Sequence, residues 1–175
     1  MSFSIWVDAD SCPVQVRNLV IKFALRLDIP TFFVANREIP LAYSKKNPKI
    51  KMIVTENTEG AADDYIVEQT APCDLVITRD IPLAAKLVEK GISTINDRGC
   101  LFTTETIREQ LSIRNFNYNI AKMGIQPDRI GSFNKKNLND FANCLDRELQ
   151  KKLKEYVIWT DVSYTKYKKD KQSTK

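Results

Sequence analysis

The chain has 175 residues, a net charge of +5, 43% hydrophobic and 28% charged residues, the balance of one soluble globular domain with a core large enough to stand alone. It contains no histidine, which excludes a Ser-His-Asp triad, a histidine general base and the usual imidazole sites for zinc or iron. No apolar run approaches the roughly 20 residues of a bilayer span, and the N-terminus lacks the layout of a signal peptide. Cys12, Cys73, Cys100 and Cys144 are scattered without a CxxC pair, so a cytoplasmic protein with reduced thiols, no structural zinc and no membrane partner is expected.

The elements follow in chain order. Ile5-Trp6-Val7 is a short apolar run that reads as a buried strand. It stops at Asp8 and Asp10, with Ser11 or Asp10 as a cap and Pro13 in the first turn of a helix over Val14–Leu27. Asp28-Ile29-Pro30 ends that helix, and Thr31–Ala35 is the second strand, followed by Asn36-Arg37. Residues 38–49, with two prolines, read as a loop over the sheet, and Ile50–Val54 is a third strand. Gly60 opens a helix to about Thr70, with Asp63 and Asp64 in its first turn, where the helix dipole favours negative charge.

Pro72 precedes a strand over Leu75–Thr78 that ends at Asp80, and Pro82 begins a helix closed by Gly91. Ser93–Ile95 leads into the turn Asn96-Asp97-Arg98-Gly99. A helix of about ten residues runs to Leu111, residues 112–133 are less regular, and Asn134–Leu153 forms a final long helix. Strands alternating with helices predict an α/β fold, a central parallel sheet with helices on both faces. Residues 154–175, with six Lys against Glu155, Asp161 and Asp170, read as a basic C-terminal extension to a domain over 1–153, either an added edge strand or a flexible tail.

Three strand ends carry acid: Asp8, Asp80 and Asp97. Parallel strands bring their C-terminal loops to one edge, where open α/β sheets bind ligands. Like charges gathered there raise one another's pKa unless a cation neutralises them. With no histidine, an oxygen-only site points to Mg²⁺ or Mn²⁺, which can activate water for displacement at phosphorus. Against this stands ordinary turn and cap chemistry, for which Asp is a common choice.

The strings WVDADSCP, AADDYI, DLVITRDIPLA and INDRG, in that order, closely resemble the YaiI/YqxD family (DUF188, UPF0178) over about residues 3–153. That family is similar to PIN-like domains, in general metal-dependent ribonucleases with a three-layer fold and an acidic site at the strand ends. The resemblance implies a PIN-like site in which Asp8 is the first acid and Asp80 the later strand-end acid. Asp63 or Asp64 would be the mid-chain helix acid, Asn96 or Asp97 the last position, and Asp10 an additional ligand or a helix cap. The reaction implied is hydrolysis of a phosphodiester, with RNA as substrate, although the family has no established substrate.

Two other readings stay open. Asp8-Ala9-Asp10 with a later strand ending at Thr78 resembles haloacid-dehalogenase phosphatases, with Asp8 as nucleophile, Asp10 as general acid and Thr78 on the phosphate; the acid pair Asp63-Asp64 comes too early in the chain for that fold. A non-catalytic RNA-binding module would use Arg37, Lys45, Lys46, Arg79 and Arg98 as a phosphate rim, with Tyr43 for stacking, and Asn36, at the end of the second strand, is a further candidate for substrate contact. Tyr164 and Tyr167 among the tail lysines would add a further contact. Cys12, beside acids that raise its pKa, reads as a packing residue.

Overall fold

The computed structural model describes residues 3–41, 47–124 and 133–172, with side chains described as far as Tyr156. The strands are β1 (Ile5–Asp8), β2 (Thr31–Ala35), β3 (Ile50–Val54), β4 (Leu75–Ile77) and β5 (Ser93–Ile95). The helices are α1 (Val14–Leu27), α2 (Ala61–Gln69), α3 (Ile81–Glu89), α4 (Thr104–Lys122) and α5 (Lys135–Gln172). All strands pair in parallel, in the order β3-β2-β1-β4-β5. The chain builds outward from β1 to β3, then crosses back to place β4 on the other side of β1. The β1/β4 boundary is therefore the switch point of the sheet, the place where strand-end loops part and leave a crevice.

Strand alternation sorts the core into two layers. Ile5, Val7, Phe33, Leu75, Ile77 and Ile95 face α1 and α5, where Val16, Val20, Phe141, Leu145 and Leu149 cover them. Trp6, Val34 and Val76 face α2 and α3, covered by Ala62, Ile66, Leu83 and Leu87. At the N-terminal edge of the sheet, buried Asp74 accepts hydrogen bonds from Ser4 N (2.7 Å), Ala71 N (2.9 Å) and Trp6 Nε1 (3.3 Å). The carboxylate so ties β1 to β4 at the end opposite the crevice. The three-layer α/β architecture expected from the sequence is the one observed.

Two boundaries differ from expectation. α4 continues past Leu111 to Lys122 and stops before Gly124, whose φ of +81° ends the helix. Its second half leaves Ile113, Phe116 and Tyr118 exposed, so it lacks the buried stripe by which a helix is recognised. α5 does not end at Leu153: its backbone remains helical to Gln172. The extension expected as an edge strand or flexible tail is thus a continuation of α5. From Lys135 to Gln172 there is neither Pro nor Gly, and nothing interrupts the i to i+4 ladder.

Candidate functional site

Asp8 is the last residue of β1 and shares the parity of Trp6, so its side chain belongs to the α2/α3 side of the sheet. β1 and β4 pair with Val7 opposite Ile77, which brings Thr78 next to Asp8 one step further on. Thr78 Oγ1 donates to Asp8 Oδ2 at 2.8 Å, and Ser11 Oγ donates to the same oxygen at 2.7 Å. Asp8 is 4% exposed. Burial pushes its carboxyl up from the ordinary value, while the bonds from Ser11 and Thr78 pull the other way.

Asp80 arrives through the same threonine. Its backbone N–H donates to Thr78 Oγ1 at 2.9 Å, and its own Oδ1 caps α3 by accepting from Leu83 N at 2.7 Å. The cap explanation for an Asp at this position is therefore correct for one oxygen, and it leaves Oδ2 unassigned. Asp63 comes from the first turn of α2, which packs on the same face. Its carboxyl is pushed up to about 6, by burial first and then by the negative charges of Asp80 and Asp8. Asp8, Asp10, Asp63 and Asp80 line one cleft of about 280 Å³, together with Ser11, Asn36, Thr58 and Gly60.

The remaining candidates divide. Asp64 turns away from the cleft, is exposed, and pairs with Lys86 at 3.2 Å; of the two helix acids, Asp63 is the one that lines the cleft. Asp10 Oδ2 accepts from Asn36 N at 2.8 Å and Oδ1 lies 3.8 Å from Arg37 Nε, so Asp10 latches the loop after β1 to the loop after β2. Neither Asp10 nor Ser11 caps α1, whose N-cap is Pro13 without a side-chain bond. Ser11 was expected as a cap because of its place in the chain; its bond to Asp8 depends on tertiary geometry that spacing does not reveal. Thr78 positions Asp8 and Asp80 with its hydroxyl.

Asn96 and Asp97 do not line the cleft. Asn96 Oδ1 accepts from Arg98 N (3.0 Å) and Cys100 N (2.8 Å), holding its own turn together. Asp97 is 4% exposed, and its Oδ2 lies 3.3 Å from Arg79 Nε. Its carboxyl is raised by burial and lowered in turn by Arg79 and Arg98. Cys12, packed under α1, has its thiol pushed up to about 12, chiefly by burial, and is neutral packing. Thr58 and Glu59, which also line the cleft, carry no signal of their own in the sequence; only the Gly60 turn that opens the helix of the acid pair hints at them. Tyr43, Lys45 and Lys46 lie outside the described residues, as do the side chains of Tyr164 and Tyr167.

Among the described residues, no three His, Cys, Asp or Glu side chains form a ready-made group able to hold a metal ion. An all-protein cage is therefore absent from that set. Mg²⁺ does not demand one, because it keeps several waters and binds through one or two carboxylates plus substrate phosphate. Asp80 keeps one oxygen to which no hydrogen bond is assigned, Asp8 is held by the hydroxyls of Ser11 and Thr78 and by the Ser11 backbone N–H, and Asp63 feels the charge of both. This all-oxygen donor set fits a hydrated divalent cation such as Mg²⁺ or Mn²⁺.

Fold and site define a class: a three-layer parallel α/β domain with carboxylates collected at its topological switch point. The chain belongs to the YaiI/YqxD family, whose model, described as "Uncharacterized BCR, YaiI/YqxD family", matches residues 6–151. It is 52% identical over 152 residues to a UPF0178 protein of Treponema denticola, a match covering 86% of this chain and 94% of the relative. A UPF0178 protein of Treponema pallidum is 46% identical over 151 residues, covering 86% of this chain and 84% of the relative. One from Psychromonas ingrahamii is 41% identical over 148 residues, covering 85% and 96%. No solved structure matches the chain. Among the described residues, no helix is long and apolar enough to cross a membrane.

Proposed function

We propose that the cleft is the active site of a phosphodiesterase acting on RNA, with a hydrated Mg²⁺ or Mn²⁺ held by one or two of Asp8, Asp63 and Asp80 directly and by the rest through water. The observation that carries this reading is the gathering of Asp8, Asp63 and Asp80 on one cleft, where burial first and then the charges of Asp80 and Asp8 push the Asp63 carboxyl up to about 6. Such repulsion has no structural use, and a divalent cation relieves it. When bound, that cation would supply an activated water and charge stabilisation at phosphorus. Thr78 and Ser11 hold Asp8 in one orientation by two bonds to Oδ2, which directs its other oxygen. Thr78 also ties Asp80 to Asp8. Asn36 lines the cleft and Arg37 lies 3.8 Å from Asp10, which also lines it, and a phosphate backbone would pass there.

The same geometry weighs against phosphatase chemistry centred on Asp8. That chemistry asks Thr78 for a phosphate contact, whereas the Thr78 hydroxyl is already donated to Asp8. It also asks Asp10 to be free to move a proton, whereas Asp10 latches Asn36. The reading is tested by incubating end-labelled single-stranded RNA with the purified protein in Mn²⁺, beside Asp8→Asn and Asp80→Asn. Cleavage that needs metal and is lost in both variants supports it. Cleavage equal in all three contradicts it. RNA bound but uncut by the wild type leaves the binding module as the better description.

A further inference from the structure

Asp97 is a buried carboxylate whose Oδ2 accepts no hydrogen bond among the described residues, yet it stands 3.3 Å from Arg79 Nε. The two facts are compatible, because ion-pair attraction depends on distance while a hydrogen bond also requires alignment. Leaving a buried carboxylate short of bonds is unfavourable, and so is its burial. Arg79 is the cation that lies against it, with its side chain 46% exposed while that of Asp97 is 5% exposed. The pair is thus anchored on one side and open on the other.

Arg79 is held at a second point. Its Nη1 lies 3.5 Å from the carbonyl oxygen of Ser11, the residue whose hydroxyl bonds Asp8. A guanidinium has five N–H donors in a rigid fork. Asp97 lies against the Nε edge and Ser11 takes one Nη1 hydrogen, so of the five donors the second Nη1 hydrogen and the outer Nη2 hydrogen are turned to neither. A fork whose rotamer is fixed before the ligand arrives loses little entropy on binding. It also sits beside a cleft lined with carboxylates, which by themselves repel phosphate. A polyanion running past Asp8 needs a fixed positive charge at this rim.

We propose that Arg79, anchored by buried Asp97, forms a phosphate seat on the rim of the Asp8 cleft that takes a phosphodiester of single-stranded nucleic acid. Asp97 is then a positioning residue acting through Arg79 and not a metal ligand. The ligand class rests on the phosphodiesterase reading; the seat is tested without turnover.

The test is fluorescence anisotropy of a labelled single-stranded RNA of about ten nucleotides, in EDTA, over a range of salt. Arg79→Gln is expected to weaken binding roughly tenfold and to reduce the slope of log affinity against log salt by about 0.7, the value for one lost contact to a single strand. Arg79→Lys keeps the charge and so restores the slope but not the affinity, because it lacks the fork. Asp97→Asn should weaken binding severalfold with the slope unchanged, and should add nothing to Arg79→Gln. Binding by Arg79→Gln equal to wild type, or additive losses in the double variant, overturns the seat, as does failure of the wild type to bind. If Asp97→Asn does not fold, the two Arg79 variants decide. Absence of RNA cleavage in Mn²⁺ would remove the phosphodiesterase reading alone and leave these affinities to stand.

Discussion

Thr78 Oγ1 donates to Asp8 Oδ2 at 2.8 Å while accepting from Asp80 N at 2.9 Å, so one buried hydroxyl joins the ends of β1 and β4. Thr78→Val keeps the shape and removes both bonds, leaving a buried carboxylate and a partly buried N–H less satisfied. We expect a loss of about 1–3 kcal/mol in urea unfolding. The Asp8 carboxyl should titrate higher still, since one of the bonds that lowers it is gone. Unchanged stability would contradict the linking role.

Asp63 gives the protein a defined pH dependence. Its folded pKa, about 6, lies above the ordinary 3.8, so between those values the folded state binds more protons than the unfolded state. Stability must then fall as pH rises through that window, and the penalty stays in full above it. Asp63→Asn removes the penalty. It should raise stability on the order of 1–2 kcal/mol near pH 7.5, discounted because the side chain is partly open to water, and leave it nearly unchanged near pH 4. Thermal melts of both proteins at the two pH values check the sign.

Asp80 has separable duties. Its Oδ1 caps α3, and asparagine caps a helix about as well as aspartate. Asp80→Asn should therefore keep the melting temperature while removing charge from the cleft. Asp80→Ala should lose the cap as well, about 1 kcal/mol. Equal melting temperatures for the two variants would show that the cap contributes nothing.

Gly99 tests how the turn after β5 meets α5. It has φ +83°, and an added Cβ would stand 2.4 Å from the backbone carbonyl carbon of Asp140. Backbone cannot step aside as a side-chain tip does. Gly99→Ala should lose at least about 2–3 kcal/mol, from left-handed strain and the displaced start of α5 together. Wild-type stability in that variant would mean the turn and helix are not in contact in solution.

Much of the sheet is legible in the sequence, because Ile5-Trp6-Val7, Thr31–Ala35 and Ile50–Val54 are short β-branched and aromatic runs bounded by turn residues. Asp8 and Asp80 are legible for the same reason: Asp8 follows an apolar run directly, and Asp80 follows one after Thr78 and Arg79. The choice between Asp63 and Asp64 is not, since adjacent helix residues differ by about 100° in direction and only the packing of α2 decides which meets Asp8. Asp97 misleads because every parallel strand end points to the same edge. Its neighbour Ile95 faces α1 and α5 while Asp8 faces α2 and α3, and Asp97 pairs with Arg79 outside the cleft. The length of α5 is hidden by Tyr-Val-Ile-Trp, residues 156–159, whose β-branched content reads as strand while the lack of any breaker keeps the helix intact.

The most direct measurement is Mn²⁺ binding by isothermal calorimetry near pH 7.5, on wild type, Asp63→Asn and Asp64→Asn. A cation site made by Asp8, Asp63 and Asp80 predicts about one site in the wild type, about tenfold weaker binding in Asp63→Asn, and wild-type affinity in Asp64→Asn, whose carboxylate faces Lys86 instead. Wild-type binding should also release protons, increasingly so as the pH is lowered toward 6, because the cation displaces the Asp63 proton. No binding by the wild type, or equal affinity in all three proteins, would contradict the site.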